Sequence, residues 1–168
     1  MNELDNKYRK FLGLSEVLPS WTRIEACNEV FYHDGKSLLK EIRNDRDGYF
    51  ECDLNEPLPE KFNRTVIEKF KTNIYFLYSC PHIKIGNIVS QRTYIEDVTD
   101  NWEHWLDAWM NDTTETDLAE LEEFSKQTKS RQKYSEGDFF AFKLSRRKWG
   151  FGRIIYDIHK RKKSEEFV

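Results

Sequence analysis

Apolar positions along this chain change their spacing several times, and each change predicts an element. Leu4, Tyr8, Phe11 and Leu12 recur at helical spacing before Gly13, a residue suited to the left-handed backbone that ends a helix, so an amphipathic N-terminal helix is expected. Pro19 closes that segment. Trp21 to Ile24 and Val30 to His33 then read as strands, and His33-Asp34-Gly35-Lys36 places an Asp-Gly hairpin turn before a further strand, Ser37 to Arg43. Tyr49, Glu51 and Asp53 alternate with Phe50, Cys52 and Leu54, as in a half-buried strand. Asn55 to Pro59, with two prolines, is expected to end the pairing, and residues 64 to 71 suit a short helix or a strand equally.

Asn73 to Tyr78 is strongly β-prone, Pro81 interrupts, and strand patterns resume over His82 to Ile88 and Gln91 to Ile95. The period then lengthens. Trp102, Trp105 and Trp109, with Leu106, form an aromatic helical stripe whose simplest role is core packing. Thr113-Thr114 before Asp117 resembles a helix cap, and Leu118, Leu121 and Phe124 supply the buried stripe of a second helix. Its carboxylates, Glu115, Asp117, Glu120, Glu122 and Glu123, precede Lys126 and Lys129, the order the helix dipole favours.

The last patterned stretch, Tyr134 to Arg153, begins with the turn residues Gly137-Asp138. Phe139 to Leu144 reads as a strand buried on most of its length, Ser145-Arg146-Arg147-Lys148 as a polar turn, and Trp149 to Arg153 as a strand with glycine at alternate positions. Together these elements predict an α+β fold: a mainly antiparallel sheet with an N-terminal helix, two central helices and a C-terminal β-hairpin. The expected divisions are a strand-rich region over 1–97, a helical segment over 98–132 and a basic aromatic hairpin over 133–168.

Charge sharpens this division. Residues 1–123 hold 14 Lys+Arg against 25 Asp+Glu, whereas residues 124–163 hold 13 against 3. Such segregation steers association with oppositely charged surfaces. No run of about 18 apolar residues is present to span a bilayer, and the first residues lack a basic-then-apolar leader, so a cytoplasmic protein without a membrane partner is expected. Cys27, Cys52 and Cys80 fit neither a disulfide framework nor a CxxC knuckle.

Candidate chemistry is sparse. His33, His82, His104 and His159 form no metal-ligand pair, no G-x-S-x-G elbow is present, and Gly150-Phe151-Gly152 lacks the remaining glycines of a phosphate loop. No catalytic residue, metal or other cofactor is assigned, and an enzyme is not expected. Arg146, Arg147, Lys148, Arg153 and the Lys160–Lys163 cluster beside Trp149 and Phe151 are compatible with phosphate contacts and base stacking. The acidic remainder of the chain weighs against nucleic acid as the partner.

The segment GDFFAFKLSRRKWGFGRII, Gly137 to Ile155, resembles the immunity protein 26 family of bacterial polymorphic-toxin systems in its strand, basic turn and aromatic-Gly-aromatic-Gly-Arg hairpin. KYRKFLGLSEVLPSWTRIE near the start, YHDGKSLLKEI, GNIVSQRTY and TTETDLAELEEF look like the N-terminal extension of longer members. The resemblance implies a cytoplasmic protein that binds a cognate toxin and blocks it without turnover. Arg147, Trp149 and Phe151 from the hairpin, and Glu120 and Glu123 from the acidic helix, are the candidate partner contacts, although Trp149 and its neighbours also suit a role in holding the fold. Two alternatives remain: a metal-dependent phosphotriesterase-like hydrolase, which the family's associations also imply, and a nucleic-acid-binding module. Family members continue with further strands beyond this hairpin, which leaves two expectations open: a short member of the family, or a hairpin that is the start of an incomplete β domain.

Overall fold

The structure is a computed structural model that describes residues 3–46, 48–130 and 133–155. It falls into two compact units, Met1–Lys129 and Ser130–Val168. The first is built on a seven-stranded antiparallel meander in which each strand pairs with the next along the chain. Its strands are β1 (Thr22–Ala26), β2 (Glu29–His33), β3 (Ser37–Asn44), β4 (Gly48–Pro57), β5 (Ile74–Ser79), β6 (His82–Asn87) and β7 (Arg92–Val98). Around them lie α1 (Asn6–Arg9) with a 3-10 turn over Lys10–Leu12, the short α2 (Arg64–Ile67), α3 (Trp102–Asp112) and α4 (Glu115–Ser125). The second unit contains the hairpin β8 (Phe139–Ser145) and β9 (Lys148–Arg153). The expected α+β architecture is therefore present, with residues 64–71 containing a short helix.

Alternation along each strand sends side chains to both faces of the large sheet, and each face is covered. One cluster joins Ile42, Tyr49, Phe76, Tyr78 and Ile85 to Leu12, Leu106, Trp109 and Phe124 of the helices. The other joins Phe31, Leu38, Cys52 and Leu54 to Phe62, Ile67 and Phe70. The tryptophan stripe is core, as its spacing implies: Trp102 stacks on Tyr78 at 5.6 Å between ring centroids, and Trp105 stacks on Trp109 at 4.9 Å. Trp109 also donates from its indole to the Phe11 carbonyl at 2.7 Å, and the Tyr8 hydroxyl donates to Asp107 at 2.6 Å, tying α1 to α3.

Two expectations for β4 are corrected. Pairing persists into the two-proline stretch as far as Pro57, with Leu38 opposite Glu56 and Ser37 opposite Pro57, because Pro57 occupies the last rung, where the absence of an amide hydrogen is tolerated. The strand is also buried on both faces rather than half exposed. Glu51, read as polar and therefore outward, has no exposed surface.

Glu51 is accommodated by opposite charge. Lys40, equally buried, donates to Glu51 at 2.6 Å and to Asp53 at 2.6 Å, while Arg9 from α1 donates to Glu51 at 2.8 Å. Tyr49 donates its hydroxyl to the same carboxylate and accepts the Leu4 amide at 3.1 Å. Asp53 also accepts the Ser15 amide at 2.7 Å. Burial works to raise the Glu51 carboxyl, but Lys40 and Arg9 outweigh it and hold the group below its usual range. Burial, reinforced by the neighbouring Glu51 charge, pushes the Tyr49 phenol up, so it remains a neutral donor.

Glu51→Gln is expected to lower the stability of the first unit by about 3–5 kcal/mol, the usual loss when one member of a buried ion network is removed. Urea unfolding followed by tryptophan fluorescence measures it. Because the folded carboxyl titrates lower than the unfolded one, its stabilisation is complete above the ordinary Glu value of about 4.3 and is lost as pH falls through the depressed value. The difference between wild type and Glu51→Gln should therefore shrink on acidification below about pH 4. A difference that is constant or grows over that range contradicts the assignment.

Candidate functional site

The hairpin of the second unit is where exposed rings and cations converge. Its open end is fixed by a turn in which Gly137 adopts φ 96°, a backbone setting that glycine accepts readily. The Asp138 carboxylate accepts the Ser135 amide at 2.7 Å, the Gly137 amide donates to the Ile154 carbonyl at 2.7 Å, and the Ile154 amide donates to Asp138 at 2.9 Å. At the other end Arg146 and Arg147 make the connection between Ser145 and Lys148. A register shift between Lys143 and Ser145 leaves Leu144 as the extra residue of a bulge.

The pairing sorts the side chains onto two unlike faces. Phe140 lies opposite Gly152 and Phe142 opposite Gly150. A Cβ at Gly150 would meet the tip of the Phe142 ring at 2.5 Å, and one at Gly152 would meet Phe140 in the same way, so each ring lies across glycine backbone. These rings, 5.9 Å apart and tilted by 33° to one another, make an uncharged face. On the opposite face Phe139 pairs with Arg153, Ala141 with Phe151, and Lys143 with Trp149. The Arg153 guanidinium stands 5.4 Å from the Phe139 ring centre and the Lys143 ammonium 5.8 Å from that of Trp149, both within reach of a cation–ring attraction. Phe151 projects between these two pairs beside the small Ala141.

Contrary to the sequence expectation, Phe139 to Leu144 is not a buried strand. Phe139 is 78% exposed, Phe142 45% and Leu144 62%; on the partner strand Trp149 is 53% and Phe151 76% exposed. The apolar run resembles a core strand, but among the described residues the hairpin's sheet has two strands, and a two-stranded sheet shelters little of either face. Trp149 and Phe151 are therefore displayed rather than buried in a core. Arg147 is exposed in the connecting turn.

Glu120 and Glu123 lie elsewhere, on the exposed side of α4 in the first unit. Thr114 and Asp117 form a reciprocal capping box at that helix's start, and the buried Asn87 amide donates to the Phe124, Ser125 and Gln127 carbonyls at its end. Asn87 was not singled out from sequence, since an asparagine at a strand end carries no mark of the distant helix that it caps. Lys126 bonds Glu122 at 2.6 Å and approaches Glu123 at 3.8 Å, which partly neutralises this acidic surface.

Other candidate chemistry does not converge. Among the described residues no three His, Cys, Asp or Glu side chains are placed to hold a metal ion. His33 accepts the Gly35 amide at 2.9 Å in the Asp-Gly turn, while His159 and the Lys160–Lys163 cluster lie outside the described residues. Cys27 and Cys80 are exposed free thiols, and Cys52 is buried, its thiol pushed up by burial. No helix among the described residues is long and apolar enough to cross a membrane. No family model, curated protein or solved structure matches the chain.

The ring-on-glycine geometry has a local signature. The Gly150 and Gly152 Hα resonances should lie upfield, each beneath its own ring. Phe142→Ala should return the Gly150 resonance towards an ordinary position while Gly152 keeps its displacement. Equal loss at both glycines, or at neither, contradicts the paired arrangement.

Proposed function

We propose that this chain is an immunity protein that binds and neutralises a cognate bacterial polymorphic toxin in the cytoplasm, by sequestration rather than turnover. The observation that carries the reading is the displayed hairpin. Phe139, Phe140, Phe142, Leu144, Trp149 and Phe151 are all exposed in one small unit. Scattered exposed apolar residues are ordinary, whereas a concentration of large rings, Trp149 among them, beside an arginine is the aromatic and Arg composition enriched at binding interfaces.

Fully burying a large apolar side chain stabilises by about 1.5–3 kcal/mol, so three anchors from this hairpin supply roughly 5–9 kcal/mol against an association cost of about 4–15 kcal/mol. The rings therefore do no more than offset much of that cost, and charge complementarity and further contacts must contribute the net affinity. The resemblance of Gly137–Ile155 to immunity protein 26 sequences supplies the partner class, a toxin protein.

Co-expression with the toxin encoded beside this gene tests the reading. The expected result is a stoichiometric complex in gel filtration and survival of cells that the toxin otherwise kills. A toxin that remains fully active and elutes alone overturns it.

A further inference from the structure

We infer that the toxin-recognition surface is the cation-bearing face of the hairpin, and that it receives an acidic protein surface with an apolar pocket for Phe151. The inference rests on the proposed immunity function and adds the face and the chemistry of the partner. The two faces of the hairpin are not equivalent as docking surfaces. Phe140 and Phe142 lie across glycine backbone and so already spend part of their surface within the hairpin. Phe151, opposite Ala141, has no comparable neighbour across the strand and is 76% exposed.

The cations beside it are pre-positioned. Arg153 is held near Phe139 and also donates to the Gly137 carbonyl at 3.2 Å, while Lys143 is held near Trp149. A partner therefore meets a central ring between two positive charges whose side-chain freedom is already reduced, which lowers the entropy lost on binding. The paired residues of this face, Phe139 with Arg153, Ala141 with Phe151 and Lys143 with Trp149, include two cations and no carboxylate, so the complementary surface is acidic.

The same charge pattern distinguishes an acidic protein from a nucleic acid. At physiological ionic strength interactions fade over about 8 Å, so a compact acidic patch docked on the hairpin senses mainly the local cations. A long polyanion also encounters the rest of a chain whose net charge is −3. An acidic patch around an apolar pocket uses both the ring and the charges.

The test uses the full chain and the co-encoded toxin, with binding rates measured at several salt concentrations. Phe151→Ala should weaken the complex by roughly 30- to 1,000-fold, while Phe151→Leu keeps most of the affinity. Arg153→Glu should slow association about tenfold at low salt, with the deficit narrowing as salt rises. Arg64→Glu, the same charge reversal on an exposed helix of the first unit, should leave binding within about twofold of wild type. Retention of the upfield Gly150 and Gly152 resonances in each hairpin variant shows that the scaffold is intact; loss of binding only together with those resonances counts against the inference.

If wild type forms no complex, the immunity reading fails and takes this inference with it. If wild type binds but is indifferent to Phe151 and Arg153, only the present inference fails. A fluorescent oligothymidylate that binds wild type tightly and loses affinity in Phe151→Ala also overturns it, because the face would then be a nucleic-acid platform.

Discussion

The buried Glu51 carboxylate is the constraint around which the first unit is organised. A lone charge in such a position is prohibitively costly, so the fold must deliver cations to it. Lys40 arrives from the adjacent strand, and Arg9 arrives from a helix 42 positions earlier in the chain. With Asp53, the group contains two cations and two carboxylates, which leaves no net charge to be expelled. Satisfying it requires the N-terminal segment to lie on the sheet. Leu4 and Ser15 then find their acceptors in Tyr49 and Asp53, and Phe11 reaches the indole of Trp109. One electrostatic requirement in β4 thus fixes the placement of residues 3–15 and, through them, of α3.

This organisation makes the hairpin a different kind of object. The first unit buries even a lysine and a glutamate, whereas the second displays phenylalanine and tryptophan. Opposite choices of this sort separate residues that hold a fold from residues whose burial is deferred until something binds. Within the hairpin itself the glycines supply part of the order: the absence of a side chain at Gly150 and Gly152 lets Phe142 and Phe140 lie across the backbone. The freed opposite face can then carry its charges and its projecting ring.

The sequence was most legible where periodicity and capping chemistry act locally. Trp102, Trp105 and Trp109 marked a buried helical stripe, Asp34-Gly35 marked a hairpin, and Thr114 with Asp117 marked a helix start; all three follow from residues within a few positions of one another. Legibility failed where the partner was remote. Glu51 could be recognised as buried only with Arg9 and Lys40 beside it, and Asn87 as a cap only with the end of α4 in place. Phe139 to Leu144 misled in the opposite direction, because an apolar run reports that a strand is able to be buried and not that a second layer exists. In the candidate site, Arg147, Trp149 and Phe151 are named by the sequence and are exposed in the hairpin, while the division of the strands into a ring face and a cation face depends on register.

Register also changes the meaning of the charge segregation. An excess of carboxylates in the first unit suggests from composition an acidic surface ready for a basic partner, yet several carboxylates meet cations within that unit. Arg43 lies 2.9 Å from Glu41, Arg23 lies 3.1 Å from Glu3 and 2.5 Å from Glu25, and Lys126 serves both Glu122 and Glu123. Glu41 is itself buried, whereas the others are exposed or partly exposed pairs that contribute little stability but reduce the field that the surface projects. On the hairpin, Lys143 and Arg153 also lie against aromatic rings, and a ring holds a cation in position without cancelling its charge.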